Sequence, residues 1–299
     1  MAPAKRLPEV GMKVAAIEIP RALRQIPPLS QALIRALQLT RDPQSHRSEL
    51  AQVLSLDQAL SGHFLRMVNS AYYGLPRRIG SLDEAIAYLG FETVRKAVVG
   101  LAAHAWLSCA LPAYSLEPRG LWRHSVAVAE GAERIASARG LAPASEAHVA
   151  GLFHDVGKLV LDLLLDGKPE WRAAVEEEPG VDWTEVEYRL LGHHHAQVSA
   201  AVLSGWNLPE HIVEAVAWHH APARAGAARR LAFAIHIANT AALMAGIGAD
   251  MDGLPCSPDA TALQELSWSE RETVELAEAM PGAVAEAERL LGLRPGMER

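Results

Sequence analysis

Between Ala150 and Val160 the chain sets His154 and Asp155 side by side, inside an apolar run that reads as a buried helix. A carboxylate next to an imidazole is costly to bury unless something pairs with it, and a metal ion is the usual partner. Lys158 falls one turn beyond His154, where its ammonium could neutralise an anion. Ten of the thirteen histidines lie between His124 and His236. His124 stands early in an apolar helix, and His193, His194 and His195 straddle a helix start after Gly192. His219 and His220 end another helix, and His236 and Asn239 sit three apart on the next. Imidazole with carboxylate suits zinc, iron or manganese rather than magnesium or calcium. An open position on such an ion, one or two per chain, would activate water for attack on phosphorus. Any single histidine is as well explained as a hydrogen-bonded core residue or a helix-end cation. His46, His63, His104, His148 and His211 are left with that role.

The elements that must hold these side chains read as helices throughout. Leu50, Val53 and Leu54 mark one face of a helix opened by Ser45 or Ser48, and Leu60, Phe64, Leu65 and Val68 mark the next. Ser81-Leu82-Asp83-Glu84 matches a capping box, Gly90 ends that helix, and a nearly all-apolar helix runs from Glu92 to about Leu111. Pro112 and Pro118 bracket a loop. Beyond it, helices are expected at about 121–139, 146–164, 169–177, 183–191, 195–205, 209–219 and 229–246, with further ones between Asp259 and Leu291. No stretch alternates as a half-buried strand would, so the fold class expected is all-α. The division expected is a leader over 1–20, an N-terminal helical lobe over 21–115, a histidine-bearing lobe over 116–248 and a C-terminal helical extension over 249–299.

Composition narrows the partners. The net charge of −7 gives no general attraction for nucleic acid, and Arg77-Arg78 and Arg95-Lys96 read as solvated surface. Two cysteines without CxxC spacing exclude a disulfide framework and point to a reducing compartment. The first twenty residues lack a signal-peptide core, and the most apolar stretch, 97–111, is too short to span a bilayer. A cytoplasmic protein without membrane association is expected.

Phe153-His154-Asp155-Val156-Gly157-Lys158, preceded by a helix with His124, resembles the signature of the HD superfamily of metal-dependent phosphohydrolases. The resemblance is closer to its HDOD (HD-related output domain) branch of bacterial signalling proteins. It is carried also by Leu65–Gly74 with Ile79, Ser81, Ala85 and Leu89-Gly90, by Leu191–Val198, and by Trp206–Ile212 through His219–Pro222, so that residues 22 to 246 are covered. It implies His124, His154, Asp155 and the Asn239 position as metal ligands, with His195, His219 and His220 added as in the bimetallic branch. Catalytic relatives have aspartate where this chain has Asn239, a weaker ligand that cannot act as a base. The Gly-Tyr-Pro motif of cyclic di-GMP phosphodiesterases is absent after His219-His220, where Ala221-Pro222-Ala223 follows. Two functions are implied. One is a signalling output or regulatory module, meeting signalling proteins or a phosphate-containing small molecule. The other is a phosphohydrolase of nucleotides or other phosphate esters, in which Asp155 orients the metal or its water and Lys158 steadies the phosphate.

Overall fold

The computed structural model describes residues 46–291 apart from 71–72, 142, 170, 172–181 and 249–258, together with Ile19, Arg21, Ala22, Arg35, Leu39 and Leu293. The expected helix at 169–177 and the leader fall mainly or wholly outside that set. The described residues form helices and no strand; one isolated antiparallel bridge joins Leu111 and Leu116. The chain divides into two compact units, one of residues 1–27 and 109–280, the other of 28–108 and 281–299.

In the second unit, α1 (Arg47–Ser55), α2 (Gln58–Val68), α3 (Leu82–Leu89) and α4 (Phe91–Leu107) pack on one another. His46 precedes α1 as an extended cap residue without a side-chain bond, so Ser48 lies inside the helix rather than capping it, and Ser45 lies outside the described residues. Ser81 does cap α3, its Oγ accepting from Glu84 N at 3.2 Å. Asn69 clips the loop between α2 and α3. Its Nδ2 donates to Leu65 O and Ile79 O, both at 2.8 Å, and its Oδ1 accepts from Ile79 N at 2.7 Å. The buried Ile79 needs such partners for its backbone groups. The apolar α4 buries Val94, Ala97, Val98, Val99, Leu101, Ala103 and Leu107. It stops at Leu107, short of the expected Leu111, whose backbone instead pairs with Leu116 at 2.9 and 3.1 Å.

The first unit is built around α5 (Gly120–Arg139), buried on nearly every side, with α6 (Ala144–Phe153) and α11 (Arg229–Met244) packed against it. Close approach is allowed by missing side chains. A Cβ on Gly151 would meet Ala129 Cα and Val128 O at 2.8 Å, and one on Gly131 would meet Ala238 Cβ at 2.9 Å. The remaining helices of this unit are α7 (Lys158–Leu165), α8 (Trp183–Leu191), α9 (His195–Gly205), α10 (Glu210–Ala217) and α12 (Ala260–Leu266). Helix α13 (Glu270–Leu290) follows, with Pro281 inside it where the two units divide. Trp122, Phe153 and Phe233 are among the largest fully buried side chains, each contributing about 2–3 kcal/mol of transfer free energy.

One expectation is corrected. The single helix foreseen over 146–164 is two, α6 and α7, separated by a turn at His154–Gly157. The cause is long-range. The start of α9 comes so close that a Cβ on Gly157 would lie 2.3 Å from His195 O, and Gly157 N donates to Ser199 Oγ at 2.8 Å.

Candidate metal centre

The turn between α6 and α7 presents Asp155 to histidines from three other places in the first unit. His124 comes from α5, His195 from the first position of α9, and His219 and His220 from the turn after α10. His154, the α6 cap residue, completes the set. Gly192 closes α8 in the left-handed conformation, φ 71°, a turn that glycine makes without a Cβ penalty, and three residues later His195 opens α9.

Asp155 is fully buried and its two oxygens face different partners. Oδ1 lies 3.3 Å from His195 Nε2 and 3.6 Å from His219 Nε2. Oδ2 lies 3.4 Å from His154 Nε2 and 3.8 Å from His124 Nε2, and accepts from Lys158 Nζ at 2.7 Å. His220 Nε2 is 2.7 Å from His195 Nε2. Two groups result, Asp155 with His195, His219 and His220, and Asp155 with His124 and His154, each with its ligand atoms within 4.8 Å of one another. Asn239 is buried on α11, the helix that packs on the one carrying His124. His193 is exposed, and His236 Nδ1 meets His219 O at 3.0 Å, bracing the turn.

Hydrogen bonds behind the rings fix their tautomers. Nδ1 of His124 lies 2.9 Å from Ile247 O, that of His154 2.7 Å from Gly151 O, and that of His219 2.8 Å from Val216 O. A carbonyl only accepts, so each Nδ1 carries the proton, and in the neutral ring Nε2 keeps a lone pair. Those three Nε2 atoms and Asp155 Oδ1 are buried and make no hydrogen bond. Four such atoms around one point are costly to leave so. A divalent ion at either oxygen of Asp155 satisfies part of this set, which makes the residues present a fit for the metal that the HD resemblance implies. Burial holds the His154 imidazole down at about 4 against the pull of Asp155, and pushes His219 and His220 well below the ordinary histidine value. They are neutral near pH 7, the form that binds metal. Burial alone would raise the Asp155 carboxyl, but His154, Lys158, His195 and His219 hold it well below the usual range.

Behind His195 stands a residue that sequence reasoning missed. Glu187, fully buried on α8, accepts from His195 N at 2.7 Å and faces its Nδ1 at 2.8 Å through Oε2, while Oε1 takes the Tyr114 hydroxyl at 2.7 Å. Burial lowers the His195 pKa, but the charge and hydrogen bond of Glu187 and the charge of Asp155 together outweigh this, leaving it raised. Tyr114 belongs to a short 3₁₀ turn, Pro112–Tyr114, held by Ala113 N to Asp162 Oδ1 at 2.9 Å and Trp171 Nε1 to Ala113 O at 2.7 Å. Its ring faces Lys158 Nζ at 5.7 Å. A signal was available. Trp183, Val186, Glu187 and Leu191 form the buried stripe of α8, so Glu187 is a carboxylate at an apolar position. Away from the centre, His148 Nδ1 meets Glu133 at 2.9 Å and His211 Nε2 meets Glu146 at 2.6 Å, ordinary hydrogen-bonded histidines.

Helices throughout the described residues and a His-Asp turn among buried histidines are features of the HD superfamily that the sequence resembles. Within it the chain belongs to the HDOD family, whose domain model matches residues 26–222. The fold is similar to an HDOD domain protein of unknown function from Geobacter sulfurreducens, at 23% identity and a TM-score of 0.71 over 92% of this chain and 98% of that one. A candidate signal transduction protein from Marinobacter aquaeolei VT8 matches at 20% identity and TM-score 0.71, over 94% of this chain and 66% of that one. A candidate phosphohydrolase from Shewanella amazonensis SB2B matches at 23% and 0.63, over 92% and 98%. An uncharacterized protein of Treponema pallidum (strain Nichols) is 24% identical over 206 residues, 69% of this chain but 39% of that protein's length. No helix among the described residues is long and apolar enough to cross a membrane.

Proposed function

We propose that this chain is a cytoplasmic signalling output module of the HDOD type, whose buried histidine–aspartate centre holds a divalent metal without turning over a substrate. The observation that carries this is the state of Asp155. Its Oδ2 is bound by the Lys158 ammonium at 2.7 Å, with both side chains fully buried, and Asn239 stands where a hydrolase of this superfamily has a second acid. With Oδ2 held by Lys158 and Oδ1 the oxygen open to a metal, no carboxylate oxygen at the centre remains to take a proton from an attacking water. Asp155, together with either His195, His219 and His220 or His124 and His154, would hold zinc, iron or manganese. When bound, such an ion supplies Lewis acidity and fixes the turns that carry its ligands. The partners are signalling proteins or a phosphate-containing small molecule; the chemistry of the module is binding.

One observation favours the second reading, a metal-dependent phosphohydrolase: six ligating side chains and Lys158 stand together at one centre. Metal-loaded protein offered phosphomonoesters, phosphodiesters and nucleotides, beside Asp155→Asn, separates the two. The module reading expects no turnover above the variant's. Hydrolysis that Asp155→Asn abolishes would establish the enzyme instead.

A further inference from the structure

The two oxygens of Asp155 are not equivalent, and the difference assigns the metal a side. On the Oδ2 side the donors are two imidazoles, His124 and His154, and the oxygen is already occupied by Lys158 Nζ at 2.7 Å. A divalent ion there would sit against a buried ammonium, with Asn239 contributing no charge to offset it. On the Oδ1 side the oxygen accepts no hydrogen bond, and the donors are three imidazoles, His195, His219 and His220. Three nitrogens and one carboxylate oxygen complete a tetrahedral set of the kind zinc takes. Glu187 adds a carboxylate behind His195, which makes that imidazole a stronger donor. In the neutral His195 ring, with the Nδ1 proton directed at this carboxylate, the Nε2 lone pair points at His220 Nε2, 2.7 Å away. The hydrogen between those two nitrogens is what an arriving ion displaces.

We infer that the centre takes one zinc-like divalent ion, on the Oδ1 side of Asp155, held by His195, His219 and His220, while Lys158 serves as the resident cation on the other side. This rests on the reading that the centre holds a metal at all. It reverses the order the His-Asp signature suggests, because the second half of the site, and not the half with His124 and His154, is the one left electrostatically open.

The test uses the full chain, loaded with zinc or cobalt(II), desalted, and measured for metal per chain by mass spectrometry and for cobalt visible absorption. Expected are one ion per chain and the intense absorption of four-coordinate cobalt. His220→Gln should lose the ion, with affinity falling a hundredfold or more, and His124→Gln should keep it within a few-fold. Two ions per chain, weak six-coordinate absorption, or an ion lost in His124→Gln and kept in His220→Gln would each overturn the assignment while leaving a metal centre in place. No ion in the unaltered chain would overturn the metal centre itself. Far-UV circular dichroism checks that the variants fold; if either does not, His219→Gln and His154→Gln take their places with the same expected loss and retention.

Discussion

Glu187 reaches none of the inward-facing nitrogens apart from those of His195 itself, yet it bonds both the backbone and the ring of His195 and receives the Tyr114 hydroxyl. A carboxylate in that position fixes tautomer and orientation, and losing such support typically costs about 10–100-fold in metal affinity. Glu187→Gln keeps the size and an acceptor oxygen but loses the charge. Competition titration with a chromophoric chelator should show zinc affinity falling by about that factor, and unchanged affinity would contradict the role. Asp162, one link further out through Ala113, gives a pH signature. Burial pushes its carboxyl up to about 6 from 3.8, against the hydrogen bond from Ala113 N. The folded state therefore binds that proton more tightly than the unfolded chain does. The ionised form is a cost to stability present above pH 6, and the cost is relieved as pH falls through 6 toward 4. Asp162→Asn keeps an acceptor for Ala113 N and removes the charge. Its Tm relative to the parent should be highest at pH 7–8 and should drop toward pH 4. A difference independent of pH would contradict the assignment.

At the scale of elements, periodicity and punctuation were enough for most of the helices, because amphipathic stripes, the Ser81 cap and the Gly90 stop are local signals. The break at His154–Gly157 was not legible. Nothing local interrupts the apolar run, and the turn answers to the backbone of α9, some forty residues on. Glu187 was half legible, since the stripe on α8 marks the position as buried but not what it bonds. The grouping of His124, His154, Asp155, His195, His219 and His220 came from residue type and family resemblance; which oxygen of Asp155 each faces required coordinates. Gly157→Ala is the test of the close approach, because the added carbon meets backbone rather than a movable side chain. Destabilisation of about 3 kcal/mol is expected, with weaker metal binding as the His-Asp turn shifts away from α9. Gly205→Ala, with nothing within 4 Å, should be neutral or stabilise by up to about 1 kcal/mol. Equal melting temperatures for the two variants would contradict the packing account.

For the molecule as a whole, every candidate ligand lies in the unit of residues 109–280, while residues 46–108 carry capped helices and a clipped loop but none of those candidates. Metal binding to the native state raises stability by mass action, about 2.7 kcal/mol at a hundred times Kd. Hydrogen exchange should therefore show new protection on loading at 120–165 and 187–247, with little change across 46–108. Protection gained equally in both regions would contradict a centre confined to one unit. The most direct test of the central claim is the metal content of untagged protein beside Asp155→Ala. Near-stoichiometric metal in the unaltered chain, lost in Asp155→Ala, is the predicted result. If zinc, manganese and iron all fail to bind, even after loading, the buried atoms around Asp155 are not a metal centre and the account fails.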